Sequence, residues 1–210
     1  MRVPILMADV IDSSKKDSKF LMKSLKSTIK AINESNHNIV SPLTITLGDE
    51  FQGVVKTIDD GIKIIFQIEE YILQNQFDFK LKYVLNFGEI ETKINTSIAY
   101  EMLGQGLTTA RDRLGKLKKE EERFLILLGS DQKQLETLLN KSFILYQNLV
   151  DSWKAKDYLI VSEFIKKFDY KSVAKIVAID ESNAWRRRKS LKIKEYETIK
   201  EIIVMLLNPK

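Results

Sequence analysis

Asp9 and Asp49 are the residues whose type and setting point most directly to chemistry. Asp9 closes a continuous apolar run, Val3 to Ala8, and Asp49 follows Gly48 between two short β-prone stretches. Two carboxylates held close together repel unless a cation sits between them or one takes up a proton. Mg²⁺, or Mn²⁺ in its place, needs only one or two carboxylates and completes its shell with water and phosphate oxygens. A pair of such ions activates a hydroxyl and stabilises a leaving phosphate oxygen. Asp12 and Glu50 stand behind the pair as supporting acids. Ser13 and Ser14 fall where the chain turns towards a helix, so their backbone N–H groups face a phosphate in this reading. The structural alternative makes Asp9 a strand end and Asp49 a turn residue.

Two further stretches carry candidate ligands. In Gly104-Gln105-Gly106-Leu107-Thr108-Thr109-Ala110-Arg111-Asp112-Arg113, two glycines precede a helix with two arginines. A helix start of this kind comes close to a ligand and sets Arg111 or Arg113 on an anion. The alternative is a loop followed by an exposed helix, with Arg113 paired to a neighbouring acid. Near the C-terminus, Lys171 to Leu191 has the pattern of a helix-turn-helix. Ala174 is the small residue where two helices meet, and Asp180 or Ser182 caps the second helix. That helix carries Asn183, Arg186, Arg187, Arg188 and Lys189, side chains suited to base edges and phosphates of duplex DNA. A core-anchor role for Trp185 is the alternative to a DNA-facing one. The alternative is a basic helical bundle that dimerises or forms a lid.

Composition removes several classes of function. The 210 residues contain no Cys and one His, His37, in a polar loop. Thiolate sites, cysteine nucleophiles, a His-based zinc site and a serine–histidine triad are thereby set aside. With 44% apolar residues the chain buries a real core. The apolar run at the N-terminus is far shorter than the about 20 residues of a membrane span, which makes the cytoplasm the expected compartment. Charge is uneven. Residues 151–210 hold 14 Lys+Arg against 9 Asp+Glu, and the rest of the chain is balanced. A basic C-terminal segment is the electrostatic footprint of a polyanion partner, or else a set of solvated helix faces.

The elements that must position these residues follow from periodicity. Val3 to Ala8 reads as a buried strand. Asp17 to Glu34 carries Phe20, Leu21, Leu25, Ile29 and Ile32 at helical spacing. Leu43 to Leu47 and Phe51 to Val55 form a hairpin over Gly48-Asp49. Thr57 to Gln74 is a second amphipathic helix and Leu81 to Phe87 another strand. The order is β-α-β-β-α-β, the ferredoxin-like unit. Its first and third strands lie side by side and antiparallel, which brings Asp9 and Asp49 to one rim. A β-extension over Gly88 to Ile94, a helix over Leu107 to Leu117, a strand from Arg123 to Leu128 and a helix capped by Ser130 follow. From Asp151 onward the pattern is helical only, over Tyr158–Phe168, Lys171–Val177, Ser182–Leu191 and Glu195–Leu207. The expected architecture is α+β, a ferredoxin-like domain over 1–150 and a small all-α domain over 151–210.

Ala8-Asp9-Val10-Ile11-Asp12-Ser13, Leu43 to Gly53 and Gly104 to Arg111 resemble the SatD family of bacterial proteins, which implies a helix-turn-helix at the end. More distantly, the βαββαβ order with an acid ending the first strand and a Gly-Asp in the hairpin is similar to class III nucleotidyl cyclases, GGDEF-type domains and palm polymerases. That likeness implies that Asp9 and Asp49 hold Mg²⁺ or Mn²⁺, that the partner is a nucleotide, and that the chain forms a homodimer. The leading expectation is a cytoplasmic regulator that senses a nucleotide with Mg²⁺ and binds DNA. The alternatives are an active nucleotidyl transferase or cyclase and a non-catalytic oligomerisation scaffold.

Overall fold

The computed structural model describes residues 1–167 and 169–208. Strand β1 (Arg2–Val10) is apolar on both faces because both are covered. Leu6, Ala8 and Val10 enter one core, and Val3, Ile5 and Met7 a second one on the opposite side. Helix α1 (Ser18–Ser35) starts where the Asp17 carboxylate accepts the Phe20 N–H at 2.7 Å, and buries Leu21, Leu25, Ile29 and Ile32 at helical spacing. Strands β2 (Ile39–Leu47) and β3 (Glu50–Val55) form the expected hairpin. Gly48 at its tip has φ 62°, the left-handed region that suits glycine. Thr57 caps α2 (Ile58–Gln74), and β4 (Leu81–Glu89) returns beside β1.

The sheet order is β2-β3-β1-β4-β5, antiparallel except for β5 (Phe124–Leu127), which runs parallel to β4. Its first four strands have the ferredoxin-like arrangement. The fold is α+β with a five-stranded mixed sheet. The pairing expected over Gly88 to Ile94 ends at Glu89, and the chain beyond it turns away. Ser130 opens a short 3-10 turn, and α4 (Lys133–Val150) begins after it, so Ser130 is not the cap of that helix.

Helix α3 (Gln105–Leu117) packs across the sheet face opposite α1 and α2. A Cβ on Gly106 would lie 2.6 Å from the backbone of Gly88 and Glu89. Gly104 and Gly106 at the start of α3 therefore let the helix press against β4.

The C-terminal helices are α5 (Tyr158–Lys167), α6 (Tyr170–Ile176), α7 (Glu181–Ser190) and α8 (Ile193–Leu207). The last residue of the expected helix over Tyr158–Phe168 lies outside the described residues. Trp153, Val161, Phe164, Tyr196, Ile199 and Ile203 belong to the same apolar cluster as Leu6 and Ile65. A buried polar joint runs beside it. Arg123 reaches Glu69 at 2.6 Å and Asp151 at 2.8 Å, the Tyr83 hydroxyl donates to Glu69 at 2.8 Å, and the Tyr196 hydroxyl to Glu70 at 2.8 Å. Burial pulls the Arg123 guanidinium down, but the charges of Glu69 and Asp151 outweigh it and raise it further above its ordinary range. No helix among the described residues is long and apolar enough to cross a membrane.

Candidate functional site

Strand register builds the site. Asp9 at the end of β1 is the partner of Glu50 on β3 and of Lys82 on β4, so Glu50, Asp9 and Lys82 form one row across the sheet. All three are buried. Their side chains lie on the face that α3 covers, because Met7 and Val84, one pleat further along, belong to the α3-side core. The tip of the hairpin folds onto the end of β1, where the Val10 N–H donates to the Asp49 carbonyl at 3.1 Å. Asp9 and Asp49 consequently line one cleft, of about 320 Å³, with Asp12, Ser13, Ser14, Lys82 and Lys118. The topological argument from sequence thus brings the two acids together.

The neighbours of the acids are specific. The Ser13 hydroxyl donates to Asp49 Oδ2 at 2.5 Å, so Ser13 holds a carboxylate with the side chain that follows β1. Asp12 takes a left-handed backbone, φ 54°, and its carboxylate pairs with Lys15 at 3.2 Å. Glu50 stands closer to Asp9 than Asp12 does in function, since both Glu50 and Asp9 share a cation. That cation is Lys118, which the sequence reading missed. Its Nζ lies 2.7 Å from Asp9 Oδ1 and 3.8 Å from Glu50 Oε2. The Asp9 contact is an ion pair that falls short of an aligned hydrogen bond.

Burial pushes the Asp9 carboxyl up. Lys118 pulls it back, Asp49 and Glu50 push it up again, and the balance is a raised pKa. Burial lowers Lys118, but Asp9, then Glu50 and Asp49, hold its ammonium above the ordinary lysine range. The Lys82 ammonium is lowered, chiefly by burial. It donates to the Leu117 and Glu120 carbonyls at 2.6 and 2.5 Å, closing the C-terminal end of α3.

Arg111 points towards the same row from α3. Its guanidinium donates to Gln52 Oε1 at 3.2 Å and approaches Glu50 Oε1 at 4.0 Å. The Gln52 amide is itself fixed by donating to the Ala99 carbonyl. A second cleft of about 230 Å³ opens beside Arg111, lined by Gln52, Met102, Leu107 and Thr108. Arg113 is exposed and lies two positions on, about 200° round the helix from Arg111, so the two arginines do not share a face.

Among the described residues, no group of three or more Asp, Glu, His or Cys side chains is arranged to hold a metal ion. The cleft does contain hard oxygen donors of the kind that Mg²⁺ accepts from a protein, one or two carboxylates with the remaining positions left to water or phosphate. Asp9 and Asp49 fit that requirement, with the Lys118 ammonium now beside Asp9.

The basic helix has a different character from that expected. The turn between α6 and α7 places Ala178 at φ 54°, Ala174 and Ala184 are buried, and the Asp180 carboxylate caps α7 by accepting the Asn183 N–H at 2.7 Å. Trp185 is not a core anchor. It is 45% exposed, with the Lys189 ammonium 3.9 Å from its ring centroid. Arg187 is turned inward onto the buried Asp157, and Arg188 is half-buried and engaged. Neither stands free for a phosphate. Arg186 and Lys189 are exposed and Asn183 is half-buried.

No curated protein matches the sequence. Among solved structures, the catalytic core of a rhodopsin-guanylyl cyclase with converted specificity, in complex with ATPαS, is 17% identical, with 60% of this chain and 76% of that chain covered and a TM-score of 0.36. A bacterial light-regulated adenylyl cyclase is 8% identical, with 60% of this chain covered and a TM-score of 0.37; the match spans 43% of that protein's length. The model of the SatD family matches residues 4–207, almost the whole length of the chain, and this protein belongs to the SatD family.

Proposed function

We propose that the cleft at the end of β1 binds a nucleotide through its phosphates together with Mg²⁺ or Mn²⁺. The observation that carries this reading is the convergence of Asp9 and Asp49 on one open cleft that also holds the cationic side chain of Lys118. The buried Asp9 carboxyl, raised by its burial and by the nearby acids Asp49 and Glu50, is an unfavourable arrangement for a purely structural role, and such groups cluster at functional sites. In the bound state Asp9 and Asp49 hold the ion, Ser13 keeps Asp49 in place, and Lys118 and Arg111 face the phosphates. When bound, the ion supplies charge neutralisation of the phosphate oxygens. Titration calorimetry with ATP and GTP tests the reading. Binding is expected to require Mg²⁺ and to be lost in Asp49→Asn. Equal affinity with and without Mg²⁺ removes the ion from the site. Turnover of the nucleotide, lost in the same variant, makes the protein a transferase or cyclase and not a sensor, and no binding at all leaves the scaffold role.

A second reading assigns DNA binding to α7 within residues 151–210. It is favoured by the left-handed turn at Ala178 and by an exposed surface carrying Arg186, Lys189 and Trp185. Arg187 and Arg188 take no part in it, because they are engaged within the protein. Electrophoretic mobility shift with the full chain tests it. Binding unaffected by salt, or none, ends the reading.

A further inference from the structure

We infer that Lys118 is a tethered counter-cation that competes with the divalent ion for Asp9 and, once displaced, joins the phosphates, so that metal and polyphosphate bind cooperatively. The inference rests on the metal–phosphate reading of the cleft. Three observations carry it. The Lys118 ammonium already sits against Asp9, one of the two acids assigned to the ion, at 2.7 Å, and lies 3.8 Å from Glu50. The acids have little access to water, their side chains being 9% and 8% exposed, whereas the Lys118 side chain is 43% exposed. The acids therefore stay and the lysine is free to leave. Finally, the backbone at Lys118 is held in place, since its N–H donates to the Leu114 carbonyl at 3.0 Å and Lys82 ties down the Leu117 carbonyl just before it. Movement is confined to the flexible four-carbon stem.

The consequence is a charge exchange. A divalent ion arriving alone has to break the close Asp9 ion pair and leave Lys118 only its longer contact with Glu50, which weakens its apparent affinity. A polyphosphate arriving with the ion offers Lys118 new oxygens in the same cleft. Linkage then makes each ligand tighten the other by the same factor. Lys118 acts on the ion through Asp9, and in this role it is a positioning residue.

The experiment is Mn²⁺ titration of the full chain, read by electron paramagnetic resonance or calorimetry, with and without inorganic triphosphate. In the wild type, triphosphate should tighten Mn²⁺ by about tenfold, within the roughly 5–150-fold span of ordinary coupling between sites. Lys118→Gln should bind Mn²⁺ alone more tightly than the wild type and lose most of the triphosphate effect. Lys118→Arg keeps the charge and should behave like the wild type. Lys118 is half-exposed at a helix end, so both variants are expected to fold, with circular dichroism as the control. If Mn²⁺ binds the wild type and is lost in Asp9→Asn, but Lys118→Gln binds no more tightly, the inference falls and the metal reading survives. If Mn²⁺ binds none of these proteins in either condition, both fall.

Discussion

The Ser13 hydroxyl donates to Asp49 Oδ2 at 2.5 Å, joining the turn after β1 to the tip of the β2–β3 hairpin. Both residues are partly exposed, so the bond contributes at the lower end of the range for hydrogen bonds to charged groups. Ser13→Ala should lower stability by about 1.5 kcal/mol and also weaken Mg²⁺-dependent nucleotide binding. Urea unfolding and calorimetry check the two effects; unchanged nucleotide affinity would separate Ser13 from the site.

Asp9 gives a pH signature. Burial raises its pKa in the folded protein above the ordinary 3.8, so the folded state binds the proton more tightly than the unfolded one. Stability from this group is present below pH 3.8 and is lost as pH rises through the raised folded value. Ionised Asp9 therefore destabilises the protein at neutral pH. Asp9→Asn should melt at a higher temperature than the wild type at pH 7, with the difference shrinking as pH falls towards 4. Thermal melts across that range decide the matter, and a lower melting temperature for Asp9→Asn at pH 7 would show that the Lys118 pairing dominates.

Gly106 has no room for a side chain, since a Cβ would sit 2.6 Å from backbone atoms of Gly88 and Glu89. Gly106→Ala must push α3 off β4, and a forced backbone shift costs about 1–3 kcal/mol. The same shift moves Arg111 away from Gln52, so denaturant midpoint and nucleotide affinity should fall together.

Arg123 is 4% exposed and clamps Glu69 and Asp151 between the sheet and the C-terminal helices. Arg123→Met leaves the partly buried Glu69 without its cation while Asp151 keeps Lys80, so the loss should approach the about 3–5 kcal/mol seen when a buried pair is broken. Guanidinium unfolding measures it. A loss under about 1 kcal/mol would mean that the joint relaxes without its cation.

On α7 the basic residues should divide by role. If the exposed Lys189 meets a phosphate, Lys189→Ala should reduce the slope of log affinity against log salt by about one. Arg187→Ala should instead reduce stability, because it leaves the buried Asp157 unpaired. A slope change for Arg187→Ala with unchanged stability would reverse this assignment.

Much of the frame is legible from residue order alone, because it obeys short-range rules. Helical spacing of Leu21, Leu25, Ile29 and Ile32, a cap at Asp17 or Thr57, and a glycine at the hairpin tip each act over a few residues. The βαββαβ order then sets β1 beside β3, and that adjacency brings Asp9 and Asp49 to one cleft. The cap at Asp180 and the buried Ala174 of α6 are equally local.

Which partner each charged side chain takes was decided by packing between distant elements. Lys118 stands in the run Lys116-Leu117-Lys118-Lys119, which by composition is a solvated helix end. Only the rotation of α3 over the sheet, set where Gly106 meets β4, aims that one lysine at Asp9. Arg187 sits among three consecutive arginines, and the 3-10 turn that carries Asp157 selects it for an inward pair. Trp185 has the size of a core residue, yet its position on α7 leaves it at the surface beneath Lys189. Local preferences depend on a few neighbouring residues, whereas the pairing of a charge depends on which acid the folded chain carries to within about 4 Å of it.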